Sequence, residues 1–262
     1  MYKNDYLVFG DCHVEPGDNL NRFKWLGKEI VNRKPKYIVQ LGDFVSMLAL
    51  SHWDKHKKLL MEGRRVYDDI DVGIHALYLM LNPLTDLQIR QKRNKQKVYS
   101  PTLVWCDGNH EEWVIRYIEE NPQLEGHLLP FFEEAKRAFL DFSDSGFSEI
   151  IYVPYKSYTV INNIAFTHVP IGANGQPISG KYAHERALDL FATDVVYGHT
   201  HRFIHAHRYQ HGMGLKQAIN AGCFFSKTPD YAWGAANEHF RGILLINHRN
   251  DGLLNVRSRS WM

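Results

Sequence analysis

Cysteine is scarce in this sequence. Only Cys12, Cys106 and Cys223 occur in 262 residues, and they are widely spaced and odd in number. That excludes a disulfide framework and a CxxC metal knuckle. It suits a reducing compartment, so a cytoplasmic location is expected. Long apolar runs are missing too: nothing approaches the roughly 18 residues that span a bilayer. The opening stretch, MYKNDYLVFGDCH, lacks the apolar centre of a signal peptide. No membrane partner is expected. Neither sign of charge dominates, since 31 Lys and Arg against 29 Asp and Glu leave +2. By itself that implies no polyanionic partner. No internal repeat, low-complexity segment or linker is visible, so a single domain over 1–262 is expected, with a sizeable core.

Histidine is in excess. The chain carries 15, and five of them, His199, His201, His205, His207 and His211, fall within the row HTHRFIHAHRYQH. Histidine is the commonest metal ligand and the usual acid–base group near neutral pH. The row therefore contains both chemistry and passengers, and the surrounding pattern has to separate them.

DYLVFGDCH is a short apolar run with a polar end, as expected of a buried strand. NLNRFKWLGKEIVNRK places Phe23, Leu26 and Ile30 on one helical face, and Pro35 stops it. YIVQLGD is a second buried strand. Strand, helix and parallel strand make a βαβ unit and predict an α/β sheet. Residues 46–97 read as a mostly helical insertion that ends in IRQKRNKQK, which has five basic residues and no acid. That segment is either a solvated helix end or a nucleic-acid contact. TLVWCDGNHEEW is a third strand running into a turn, and helices are expected over 111–120 and 130–141. SYTVINNIAFTH is a hairpin turning at Asn162-Asn163. HERALDLFA reads as a helix, and DVVYGHTH, LKQAINAGCFF and GILLINHR as strands.

Five of these strands run into turns bearing Asp, Asn or His. The turns hold Asp11 and His13, Asp43, Asn109 and His110, His168, and His199 with His201. An open α/β sheet binds ligands at the carboxyl ends of its strands, so these groups can converge. Asp, Asn and neutral His are donors to divalent metals. Strand alternation would put both members of Asp-x-His, or of His-x-His, on one face. A glycine beside each ligand would allow close backbone approach. An Asp between two clusters could join two ions through its two oxygens. Taken singly, each has a plainer role: Asp43 as a helix N-cap, Asn109 and His110 as an ordinary turn, His168 as a strand-end histidine.

Asp-x-His, Gly-Asp, Gly-Asn-His-Glu, His and Gly-His-Thr-His, in this order from residue 7 to about 225, resemble the calcineurin-like metallophosphoesterase superfamily. SHWDKHKKLLMEGRRV also resembles uncharacterised phosphoesterases of tailed phages. The resemblance implies a two-sheet β-sandwich core flanked by helices, within the α/β class. It implies Asp11, His13 and His201 on one metal, Asn109, His168 and His199 on a second, and Asp43 between them. His110 would be the catalytic histidine beside the leaving group. The implied reaction is hydrolysis of a phosphate ester by a metal-bridging hydroxide. Mn²⁺ is the favoured ion, with Fe, Zn²⁺, Ni²⁺ or Mg²⁺ as alternatives. His205, His207 and His211 are expected to be bystanders, Cys12 and Cys106 core thiols, and Glu111 a residue that orients the turn rather than a ligand. Arg64 and Arg65 are expected on a solvated helix face.

The expected substrate is a nucleotide or nucleic acid, cleaved by a phosphodiesterase, nuclease or nucleotide phosphatase. Phosphoprotein phosphatases of this superfamily carry two phosphate-gripping arginines where this chain has Met47 and Asp107. An acid at 107 would repel a phosphate dianion, so that reading is the alternative. A non-catalytic protein-binding module on the same scaffold is the other. The full ligand set and His110 speak against it.

Overall fold

The computed structural model describes residues 5–140, 146–212, 214–227, 238–249 and 253–262. Two sheets form the centre. The first has six strands in the order β11-β10-β1-β2-β3-β4, and the second five in the order β5-β6-β7-β9-β8. β1 (Tyr6–Phe9), β2 (Tyr37–Gln40), β3 (Thr102–Cys106) and β4 (Glu149–Val153) run parallel. β10 (Gly242–His248) and β11 (Leu254–Ser260) extend that sheet antiparallel. In the second sheet β6 (Ile164–Thr167), β7 (Asp194–Tyr197) and β9 (Gly214–Ala221) are parallel. β5 (Thr159–Ile161) and β8 (Phe203–Gln210) are its antiparallel edges.

Side-chain alternation builds the layers. Along β1, Tyr6 and Val8 face the second sheet and pack with Phe166, Val196 and Ile219. Leu7 and Phe9 face the opposite way and pack with Phe23, Leu26 and Ile30 of α1 (Asn21–Arg33). The parallel strands are therefore buried on both faces and read as continuous apolar runs. The three helical residues are completely buried, each contributing about 1.5–3 kcal/mol as an upper estimate. The helix ends where expected: Lys34 caps it in the left-handed conformation and Pro35 follows. On the far face of the second sheet, Ala183, Ala187 and Leu188 of α6 (Ala183–Leu190) cover Ala165, Val195 and Ala218. The result is helices, sheet, sheet, helix: a mixed α/β fold with a two-sheet core flanked by helices, as predicted.

Within residues 46–97 lie a 3₁₀ turn (Leu48–Leu50), α2 (Lys58–Met61) and the 28-residue α3 (Val66–Arg93). α3 is the crossover helix between parallel strands β2 and β3, and it packs on α1. The approach is close: a Cβ on Gly27 would lie 2.5 Å from the Met80 carbonyl oxygen and 2.9 Å from Pro83. α4 (Glu112–Glu120) matches the expected helix over 111–120. α5 (Phe131–Ala135) continues as a π turn over Lys136–Leu140, and residue 141 of the expected 130–141 helix lies outside the described residues. Asn162 and Asn163 join β5 to β6 with φ of 48° and 64°, the left-handed pair that a tight hairpin turn needs. Among the described residues no helix is long and apolar enough to cross a membrane.

Candidate metal centre

The carboxyl ends of β1, β2, β3, β6 and β7 open onto one place and bring all eight predicted site residues to it. Three groups form there: Asp11 with His13 and His201, Asp43 with His168 and His199, and His13 with Asp43 and His110. His201 Nε2 lies 3.4 Å from Asp11 Oδ1 and 3.2 Å from His13 Nε2. His168 Nε2 lies 3.1 Å from Asn109 Oδ1, 3.2 Å from His199 Nδ1 and 3.4 Å from Asp43 Oδ2. Asp43 Oδ2 is also 3.8 Å from His13 Nε2, so it stands between the two sets. Asp43 Oδ1 instead accepts the His110 backbone N–H at 3.0 Å. One carboxylate oxygen, not two, faces both groups.

The expected route to this geometry needs correcting. Asp11 and His13 do not alternate on a strand, because β1 ends at Phe9. They occupy left-handed backbone at φ 49° and 45°, as do Asp43 at 49°, His199 at 69° and His201 at 60°. Two left-handed residues flanking one ordinary residue aim their side chains inward and turn Cys12 into the helix-side core. The glycines act as expected. A Cβ on Gly198 would sit 2.3 Å from Asp11 Oδ2, and one on Gly42 2.6 Å from His168 Nδ1. A Cβ on Gly108 would sit 2.1 Å from Asp43 Oδ1.

Glu111 holds the assembly together. Its fully buried carboxylate accepts N–H bonds from Asp43 (2.9 Å), Phe44 (2.7 Å), Val45 (3.1 Å) and Gly108 (2.8 Å). It clamps the β2 loop to the β3 loop, the orienting role expected of it. Burial, then the Asp43 and Asp107 charges, push its pKa up, while the four N–H donors favour the carboxylate. Asp11 makes a similar tie, its two oxygens accepting the His199 N–H at 2.9 and 3.0 Å.

The donor chemistry fits divalent cations. His168 Nδ1 is 2.8 Å from the Leu41 carbonyl oxygen, which can only accept, so Nδ1 carries the proton. In the neutral ring, Nε2 is then a bare lone pair directed at Asn109, His199 and Asp43, themselves lone-pair donors. His13 Nε2 and His201 Nε2 face each other at 3.2 Å. A divalent cation would accept lone pairs from all of these groups at once. Burial and then His110 lower the His13 pKa well below the usual range. Burial and then His168 lower that of His199 to about 4. Both rings are thereby kept neutral as donors. Burial works to raise the Asp43 pKa, but His168, His110, His13 and the His110 N–H outweigh it and hold it below the carboxylate range.

His110 sits at the edge of this cluster. Its Nδ1 is 2.7 Å from the Ser46 carbonyl oxygen, so the proton is on Nδ1 and Nε2 lies 4.0 Å from Asp43 Oδ2. Its ring is held against Trp113 at 4.2 Å and His13 at 4.7 Å between centroids. Sequence reasoning missed Trp113, Ser46 and His239. His239 stacks edge-on to His201 at 5.2 Å, and its pKa is lowered to about 4 by burial and then by His201. No motif surrounds it.

The remaining candidates stay outside. His205 and His207 are exposed on one face of edge strand β8, His205 bonding Gln217 at 3.1 Å, and His211 is an exposed turn residue. Arg64 donates to the Leu48 carbonyl oxygen at 3.3 Å, and Arg65 is exposed. The three cysteines are free and buried, and burial raises each thiol's pKa. Asp107 does not confront a phosphate. Its carboxylate accepts from Tyr152 Oη at 2.6 Å and Trp105 Nε1 at 3.2 Å, and burial raises its pKa to about 6. Met47 is fully buried. These two positions lack a guanidinium; they add no repulsion.

With five strand ends carrying these residues in order, residues 5–203 match the family of calcineurin-like phosphoesterases. The chain belongs to that family. No curated protein matches it. One crystal structure aligns over 98% of this chain and 99% of its own, at 10% identity and a TM-score of 0.41, a likeness that carries no functional information. Family and donor clusters together fit a metal-dependent phosphoesterase with a divalent-metal site.

Proposed function

We propose that this calcineurin-like phosphoesterase hydrolyses a nucleotide or a nucleic-acid phosphodiester at a centre of two divalent ions. Asp11, His13 and His201 would hold one ion and Asn109, His168 and His199 the other, with Asp43 serving both. The observation that carries this reading is the pair of donor sets meeting at a single carboxylate oxygen. Bound ions supply Lewis-acid charge to the phosphoryl oxygens and lower the pKa of water. The Leu41 carbonyl fixes the His168 tautomer and so aims Nε2 inward. The Ser46 carbonyl does the same for His110, whose Nε2 would carry a proton to the leaving oxygen when the ring is protonated. Mn²⁺ is the favoured ion among those that an all-nitrogen-and-oxygen set accepts. Three buried free thiols suit the cytoplasm. Phosphoprotein hydrolysis is the alternative, disfavoured because Met47 and Asp107 offer no cation to the phosphate.

The test is hydrolysis of bis-p-nitrophenyl phosphate and p-nitrophenyl phosphate with Mn²⁺, with and without a chelator. The His110→Ala variant should keep its metal content and lose about 10²–10⁴-fold in turnover. Chelator-insensitive hydrolysis, or an unimpaired His110→Ala, would overturn the assignment.

A further inference from the structure

A cavity of about 350 Å³ opens beside His110. Asn109, His110 and Trp113 line it from the β3 loop and α4, and Trp53, Asp54 and Lys57 from the segment between β2 and α2. Trp53 is 79% exposed. A lone exposed apolar residue needs no explanation, but this one borders the same cavity as two predicted site residues. Its turn is also held firmly. Asp54 accepts from Ser51 Oγ at 2.9 Å and from Lys57 Nζ at 2.7 Å, and its backbone N–H bonds the Ser51 carbonyl oxygen at 3.2 Å. The indole is thus carried on a hydrogen-bonded turn, with the His52 ring edge-on at 6.0 Å.

We infer that this cavity is a nucleobase subsite, in which the base of a nucleoside phosphate stacks on Trp53 while its phosphate lies at Asn109 and His110. The inference rests on the reading of the centre as a phosphoesterase site and adds which residues would hold the base of the nucleotide substrate. Stacking on an aromatic side chain accepts any base, because every base has a π-face. The polar groups beside Trp53 favour a base over a plain aryl group. Lys57 has three N–H donors and directs one at Asp54, and the Asp54 carboxylate has lone pairs beyond the two bonds it accepts. A base edge can meet both kinds of group. The phenyl ring of a phosphotyrosine has no edge groups to offer them.

The probes are phosphonate isosteres in which CH₂ replaces the ester oxygen, so that nothing is hydrolysed. Isosteres of adenosine 5′-monophosphate, ribose 5-phosphate and phosphotyrosine are titrated calorimetrically into the full chain with Mn²⁺. The adenosine compound should bind about tenfold more tightly than the ribose compound, a difference due to stacking. Trp53→Ala should erase that ratio, and Trp53→Phe should keep most of it. Equal affinities in the wild type, an unchanged ratio in Trp53→Ala, or tighter binding of the phosphotyrosine isostere would each overturn the subsite. Chelator-sensitive hydrolysis of p-nitrophenyl phosphate tests the underlying reading separately. If that hydrolysis is absent while the isosteres still discriminate, the catalytic reading fails and the subsite stands.

Discussion

The two ends of the parallel strands use the same backbone conformation for different purposes. Where β1, β2 and β7 finish, Asp11, His13, Asp43, His199 and His201 are left-handed. Where strands begin, Lys34, Asn162 and Asn163 are left-handed too. The second group caps α1 and turns the β5–β6 hairpin, and its side chains are exposed. Glycine would suit Lys34 and Asn163, while the Asn162 side chain also donates to Tyr6 Oη at 2.8 Å. In the first group four of the five are buried and His199 is half-buried, and their side chains converge on the donor clusters. Each such residue costs about 1–2 kcal/mol. In this group the strain coincides with side chains that face the donor cluster, whereas Met47, left-handed at 46°, faces the helix-side core.

The sharpest way to break this contrast is at Asp43. Asp43→Asn keeps the shape and the left-handed backbone but removes the charge between the two histidine sets. Hydrolysis should fall by about a thousandfold or more, ~4 kcal/mol of transition-state stabilisation, and metal analysis should show a reduced ion content. Wild-type metal content with persisting activity would exclude the role assigned to Asp43.

Glu111→Gln should be next. Four N–H groups converge on its carboxylate, and an amide NH₂ there would face donors with a donor. Hydrogen bonds to charged groups are worth about 1.5–3 kcal/mol each, and part of the set survives on the remaining oxygen. A loss of about 3 kcal/mol in urea unfolding is expected, with activity falling because the two loops lose their clamp. A variant as stable as wild type would mean that the loops hold their places unaided.

At the other end the sign reverses. Lys34→Gly removes the left-handed cost at an exposed helix cap, where glycine is the usual residue. Stability should rise by about 1 kcal/mol or less, read as a shift in the unfolding midpoint at constant slope. A fall would show that the Lys34 side chain makes a contribution that its exposure hides.

The same contrast explains what was legible in the sequence. Strand–turn motifs were visible because Gly, Asp, Asn and His follow short apolar runs, and the eight site residues do converge. The helical face of α1 and the Asn-Asn hairpin were also readable, since periodicity and turn chemistry act locally. The backbone state of the loops was not. Asp-x-His suggests alternation, and only tertiary packing reveals the left-handed pair that ends β1. β4 and β11 escaped for a related reason. They are edge strands with polar or partly exposed patterns, EIIYV and LNVRSRS, formed by pairing with β3 and β10 rather than by local propensity. The extent of α3 was disguised too, because a crossover helix and an inserted one share the same periodicity.

The smallest effect is expected from the most conspicuous charge run. Arg90, Lys92, Arg93, Lys95 and Lys97 are exposed at the far end of α3. Gln88 and Gln91 tie that end to Tyr99, and Tyr99 Oη donates to the Pro35 carbonyl oxygen, where β2 and β3 are about to begin. The other end of α3 lies beside the centre, with Asp69 accepting the Ala49 N–H. A helix of 28 residues separates the two by about 40 Å, several times the screening length of about 8 Å at physiological salt. Arg90→Glu with Lys92→Glu and Arg93→Glu should therefore leave hydrolysis of p-nitrophenyl phosphate within about twofold of wild type at that salt. It should cost a few tenths of a kcal/mol per residue in stability, because cations suit a helix C-terminus. A large loss of turnover on this small ester would require coupling through α3 itself. A loss confined to long nucleic-acid substrates would instead make the segment a remote contact for a chain that reaches across the whole length of the helix.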